Sequence, residues 1–199
     1  LRPHEPVQAR VGEVVGRVER RAGFHTVELV QDMDAIGSTF SFRVNGRDIF
    51  MKGCNLVPPS MVPIGDVPWV KLVSEMRRAG MNMVRVWSGG VYPPDAFYDA
   101  CDTAGIMVWQ DFMFGSLVPG TGEFVENALV EVSEQLDRWG DHPCVAIVCG
   151  NNELDVAWKN WGWQDRYVLH GEDSIKVEVE NRNFFHKRLK ERVADIRYT

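Results

Sequence analysis

Cys149-Gly150-Asn151-Asn152-Glu153 sets a carboxylic acid beside an amide just past the end of an apolar run. A Glu in that place serves as a general acid or base, and an Asn next to it holds a substrate hydroxyl. The pair therefore reads as half of a sugar-cleaving site, whose other half is a second carboxylate. The same two residues also suit the start of a helix, where Asn is a favoured cap and Glu meets the positive end of the dipole. The pentapeptide alone divides evenly between these readings.

The elements around it favour the first. Val145-Ala146-Ile147-Val148-Cys149 has no polar and apolar alternation, as expected of a parallel strand buried on both faces, and Gly150 ends it. Upstream, Ile49 to Cys54 offers a first strand, followed by a Pro-rich loop over Val57 to Pro63. Trp69, Leu72, Val73 and Met76 form a helical stripe over Trp69 to Ala79, closed by Gly80. Met81 to Trp87 is a second strand with Ser88-Gly89-Gly90 as its exit. Pro94 to Ala104 is a helix that opens on Pro and ends at Gly105.

Ile106 to Phe112 is the third strand, and Glu123 to Trp139 the third helix, with Phe124, Ala128, Val132 and Leu136 at helical spacing. The fourth strand spans Cys144 to Cys149. A Trp-rich loop follows, then an amphipathic helix from about Ser174 to Ile196 with Val177, Val179, Phe184, Phe185 and Leu189 among its apolar residues. Four strand-helix units in a row argue for an α/β fold with a parallel sheet, and four units are half of an eight-stranded barrel. Residues 1–45 stand apart. Val11 to Val18 and Thr26 to Leu29 alternate like strands, and Thr39 to Gly46 reads as a hairpin strand entering an Asn-Gly turn.

Composition narrows the partners. The chain has 199 residues, 45% of them hydrophobic, enough to bury a core. A net charge of −6 without a basic cluster excludes a phosphate-tracking surface, so no nucleic acid is expected. No apolar run reaches the roughly 18 residues of a membrane span, and Leu1 to Glu5 carries no signal-like apolar segment. Seven Trp and ten Phe exceed what a small core needs, and aromatic faces on loops hold sugar rings. More than half of them are still expected in the core.

Cys54, Cys101, Cys144 and Cys149 follow no CxxC pattern, and the last two lie roughly 16 Å apart along one strand, too far for a disulfide, so all four read as free or undecided. The five histidines lack metal-ligand spacing, and neither a metal nor a cofactor is expected. Asp32, Asp34 and Gly37 read as a turn, because a calcium loop would need later ligands that are missing. Arg85 sits inside an apolar strand, where its charge is either paired with a carboxylate on the barrel floor or turned toward substrate; pairing is favoured two to one.

Val44-Asn45-Gly46, Lys52-Gly53-Cys54-Asn55, Gly80 to Trp87, Phe97-Tyr98-Asp99, Trp109-Gln110-Asp111-Phe112 and Gly150 to Glu153 together resemble the β-mannosidases of glycoside hydrolase family 2. The resemblance runs over nearly the whole chain, and Arg85 to Gly90 with Trp109 to Phe114 points to the mannosidase branch. It implies the N-terminal half of a (β/α)8 TIM-type barrel preceded by the tail of a β-sandwich domain. Residues 1–45 would be the end of an immunoglobulin-like β-sandwich and a barrel-floor hairpin, and 46–199 the first four βα units.

The activity implied is exo-acting, retaining removal of terminal β-D-mannose, with a β-mannoside oligosaccharide as substrate. Glu153 matches the acid/base position and would need a carboxyl kept protonated by burial or by a nearby carboxylate. Asn152 matches the residue that meets the sugar near its axial 2-hydroxyl. Trp87 and Trp161 match aromatic positions of the sugar subsite, and Asp111, which ends the third strand at the same face, is expected to bind substrate with them. Cys149 and Val148 stand where relatives often carry Trp, and Ser88 where many have Gly; neither touches the reacting groups.

The nucleophile of this family is a Glu on a later strand, which these residues do not include. Glu172, Glu178 and Glu180 do not sit at strand ends. Retention needs two carboxyl groups roughly 5 Å apart, so the chain is expected to be inactive alone and to need the remainder of the barrel. Half a barrel also leaves two sheet edges unpaired, a hazard for aggregation. Other family 2 activities, a β-galactosidase, β-glucuronidase or exo-β-glucosaminidase, and a non-catalytic sugar-binding half-barrel are the alternatives.

Overall fold

The computed structural model describes residues 23, 25–58, 67–115 and 122–195. The expected strand at Val11 to Val18 lies outside these residues, as does most of the Pro-rich loop. The chain forms a mixed α/β structure with two sheets. The first is antiparallel, in the order β1 (Val27–Val30), β2 (Ser41–Val44), β3 (Arg47–Ile49). Its hairpin turns at Asn45 and Gly46, both left-handed at φ 49° and 74°, the turn whose twist matches that of paired strands. The Asn45 side chain also accepts the Thr26 N–H at 3.0 Å, which holds β1 in place beside the turn.

The expected first strand at Ile49 to Cys54 is not continuous. Ile49 lies opposite Phe42 in the antiparallel sheet, and the parallel strand β4 begins only at Gly53 (Gly53–Leu56). The three residues between them are held by one side chain from another element. Asn82 accepts the Lys52 N–H at 2.6 Å and donates to the Phe50 carbonyl at 3.0 Å, so those backbone groups are satisfied without a ladder.

The second sheet is parallel, in the order β4, β5 (Met83–Val86), β6 (Met107–Asp111), β7 (Val145–Cys149). Its strands alternate with α1 (Trp69–Arg78), α2 (Asp95–Ala104) and α3 (Glu123–Trp139), close to the bounds expected from periodicity. On one face Val84, Val86 and Val108 pack with Phe97, Tyr98, Val132, Leu136 and Trp139 of the helices into the core. On the other face Arg85, Trp109 and Ile147 stand in register, because side chains alternate along each strand. Phe40, just before β2, stacks on Trp109 at 5.7 Å and so brings the hairpin to that second face.

Two expectations about burial change. In α3 the apolar stripe runs through Val125 and Leu129, whereas Phe124 is 42% exposed. Every residue of β7 is only half-buried, because β7 is the last strand of its sheet among the described residues.

The Trp-rich loop folds into two short helices, α4 (Leu154–Asn160) and α5 (Trp163–Arg166). The signal for α4 was present in Leu154, Ala157 and Trp158, buried at helical spacing. The last helix starts at Glu172 as α6 (Glu172–Asn183), widens into a π-helical turn at Phe184–Arg188 and continues as α7 (Leu189–Asp195). Its amphipathy is confined to the later part: Val179 is exposed, while Phe184, Phe185 and Leu189 are buried.

All four cysteines are thiols, and burial pushes the Cys101 thiol up to about 12 and raises Cys144 as well, so neither ionises. Asp32 to Gly37 is a turn in which the Asp34 carboxylate accepts the N–H groups of Ile36 and Gly37.

Candidate active site

The register of the parallel sheet puts Leu56, Val86, Gln110 and Val148 along one edge, where a parallel sheet carries its binding sites. Asp111 ends β6 at that edge, and the loops leaving it carry Trp87, Asn152 and Glu153. The structure joins three of these through Arg85, the charge within the apolar second strand. Arg85 donates from Nε to Asp111 Oδ1 at 3.2 Å and from Nη2 to Asp111 Oδ2 at 2.6 Å. The same Nη2 donates to Asn152 Oδ1 at 2.9 Å. Asn152 Nδ2 in turn donates to Glu153 Oε2 at 2.9 Å.

These hydrogen bonds occupy the Asn152 and Glu153 side chains away from the helix start. Neither Asn152 nor Glu153 caps α4 with its side chain; the Leu154 N–H is held instead by Asn151 Oδ1 at 3.3 Å. Asn152 is further fixed by its backbone N–H, which donates to the Gly115 carbonyl at 2.9 Å. Glu153 sits in the left-handed region at φ 56°, a conformation that costs a non-glycine residue about 1 kcal/mol or more and concentrates at functional sites.

The carboxylate of Glu153 is exposed, so the expected burial around it is not present in the described residues. Cys149, just before this turn, has its thiol raised first by burial and then by the Asp111 charge, which keeps it neutral beside the site.

Asp111 forms the inner end of this series of hydrogen bonds. Its side chain is 0% exposed, covered by Arg85, which is itself 24% exposed. Its Oδ2 also accepts the Ser88 N–H at 3.2 Å. The loop after β5 is therefore tied to the same carboxylate.

On that loop the Trp87 indole lies against Gly89: a Cβ there would stand 2.0 Å from the nearest ring atom, so only bare backbone fits beneath the ring. A second glycine does similar service at β7. A Cβ on Gly150 would meet Phe185 Cδ1 at 3.1 Å, so the π-helical turn packs directly behind the strand exit. Phe185 and Phe184 also pack edge-on against Phe114, at 6.3 and 5.5 Å, in the loop after β6.

Trp161 stands at the C-terminal end of α4, with 52% of its surface exposed. Glu178 pairs with Lys159 on the surface, and Glu172 and Glu180 lie along α6, away from the strand ends. Asp99, Asp102 and His142 have ligating atoms within 4.8 Å of one another, but two of the three serve the frame: Asp102 takes the His142 ring at 2.8 Å and the Cys144 N–H at 2.8 Å.

The sequence is 40% identical over 155 residues to a probable β-mannosidase of Caenorhabditis elegans, which covers 73% of this chain. It is also 40% identical over 183 residues, 87% of this chain, to β-mannosidase B of Aspergillus niger. The chain is homologous to the β-mannosidases of glycoside hydrolase family 2. The solved β-D-mannosidase of Dictyoglomus thermophilum superposes with a TM-score of 0.76 at 33% identity, over 96% of this chain and 23% of that one. A β-glucuronidase of Bacteroides uniformis, 21% identical with a TM-score of 0.66, shares the fold. The chain spans about a fifth of the length of these β-mannosidases, 17% of the nematode and 21% of the fungal protein. No family model matches it.

Proposed function

We propose that this chain carries the acid/base half of an exo-acting, retaining β-mannosidase site. The observation that carries the reading is the hydrogen-bonded series Arg85, Asn152, Glu153 at the exit edge of a parallel sheet, in a chain homologous to β-mannosidases. Glu153 donates its proton to the glycosidic oxygen as the C–O bond breaks and a second carboxylate takes the anomeric carbon. Glu153 then removes a proton from the water that releases mannose.

That second carboxylate comes from outside these 199 residues. The four βα units are the N-terminal half of a (β/α)8 barrel, residues 1–45 close a preceding β-sandwich domain and enter the floor hairpin, and the remainder of the barrel supplies both the nucleophile and the burial that Glu153 lacks. Asn152 meets the sugar near its 2-hydroxyl through the side-chain amide that Arg85 orients. Trp87 and Trp161 offer aromatic faces to the ring. Asp111 serves the subsite from behind Arg85. No helix among the described residues is long and apolar enough to cross a membrane.

The test is an assay of the whole polypeptide against nitrophenyl β-mannoside, β-glucoside, β-galactoside and β-glucuronide, beside its Glu153→Gln variant. Cleavage of the mannoside alone, lost by about 100-fold or more in the variant, is expected. Cleavage of another glycoside in its place assigns a different family 2 activity, and binding of mannose without cleavage of any substrate leaves a sugar-binding half-barrel.

A further inference from the structure

We propose that Asp111 is a positioning residue that aims the acid/base, and that it acts through Arg85 and Asn152 without meeting the sugar. The inference deepens the proposed function and rests on Glu153 being the acid/base. Three observations carry it. Asp111 is 0% exposed and its carboxylate accepts three hydrogen bonds, two from Arg85 and one from the Ser88 N–H. Arg85 spans from that carboxylate to Asn152 Oδ1, and Asn152 spans from Arg85 to Glu153 Oε2. The Asn152 amide is thereby polarised in one direction: its oxygen faces the guanidinium, so its nitrogen is the end presented to Glu153.

The alternatives for a buried Asp at a strand end are a substrate contact and a purely structural ion pair. Complete burial beneath Arg85 removes the first. The second would leave Arg85 with Asp111 as sole partner, whereas the guanidinium is shared with the residue beside Glu153. One carboxylate therefore links the two loops of the site. It holds the Trp87 loop through Ser88 and the Glu153 turn through Arg85. Misplacement of a reacting group by about 1 Å costs on the order of 100-fold in rate, which sets the size of the expected effect.

The experiment compares Asp111→Asn and Arg85→Lys in the whole polypeptide on two substrates that differ in how much they need an acid. β-Mannobiose has a poor leaving group that must be protonated. 2,4-Dinitrophenyl β-mannoside has one that departs unaided. If Asp111 aims Glu153, both variants lose about 100-fold in kcat/KM on mannobiose and about tenfold or less on the dinitrophenyl mannoside. Equal losses on the two substrates, or no loss, overturn the proposal, because a merely structural residue does not sense the leaving group. Arg85→Lys carries the same test if Asp111→Asn does not fold. A Glu153→Gln variant with full activity on mannobiose would defeat the acid/base assignment itself. A Glu153→Gln variant inactive on mannobiose, beside unaffected Asp111 and Arg85 variants, would defeat only this inference.

Discussion

At the scale of single residues, the site is built from groups held where they would not otherwise rest. Glu153 keeps a positive φ of 56° that glycine would adopt without strain. Replacing it by Gly should therefore leave stability unchanged or raise it by up to about 1 kcal/mol while abolishing turnover, a separation that urea unfolding beside an activity assay would reveal. Arg85 and Asp111 show the opposite balance. A buried pair broken on one side leaves an uncompensated charge, so Arg85→Met should lower unfolding free energy by about 3–5 kcal/mol. A loss under about 1 kcal/mol would mean that water reaches Asp111. Arg85 was visible in the sequence as a charge within an apolar strand, and pairing was the favoured reading. Its partner lies at the exit edge of the sheet and not on the floor, a distinction that depends on register between two strands.

At the scale of elements, the strands and helices of the βα units were readable because each has a clear period and a Gly or Pro at its ends. What escaped was where pairing is decided by distant groups. Ile49 joins a hairpin through Phe42 and the link after it is held by Asn82, neither of which local pattern reveals. The π-helical turn at Phe184–Arg188 is likewise a tertiary feature, since it turns Phe185 into the space behind Gly150. Gly150→Ala should lower the melting temperature through displacement of Phe185, by an amount equivalent to about 1–3 kcal/mol. A pH test belongs to the tie between α2 and the segment entering β7. The Asp102 hydrogen bond raises the His142 pKa above its ordinary 6.5. The folded state therefore holds the proton more tightly, and this stabilisation is complete below 6.5 and lost as pH rises through the raised value. The His142→Gln variant should show a flatter decline of unfolding free energy than the parent chain as pH rises from 6.5 through the raised value.

At the scale of the whole molecule, the parallel sheet ends at β7 among the described residues, and a cleft of about 680 Å³ runs along that strand, lined by Val145, Ala146, Ile147 and Val148 together with Val27 and Val193. An unpaired edge beside half-buried apolar side chains is a template for pairing with another chain. The 199-residue chain alone should self-associate, and Ala146→Lys should reduce that association in sedimentation velocity; a chain that stays monomeric without the substitution would argue against a sheet built to continue. The sequence by itself determined the alternation of strands and helices, the turn at Asn45 and Gly46, and the types of group at the site, because periodicity, turn chemistry and functional side chains are local properties. Only the tertiary structure decided that Asp111 is buried beneath Arg85, that Asn152 lies between Arg85 and Glu153, and that Glu153 stands exposed at a half-buried edge. Those facts follow from register between β5 and β6 and from the loop after β7 folding back over both, and residues 26 to 67 positions apart in the chain meet only when the sheet has formed.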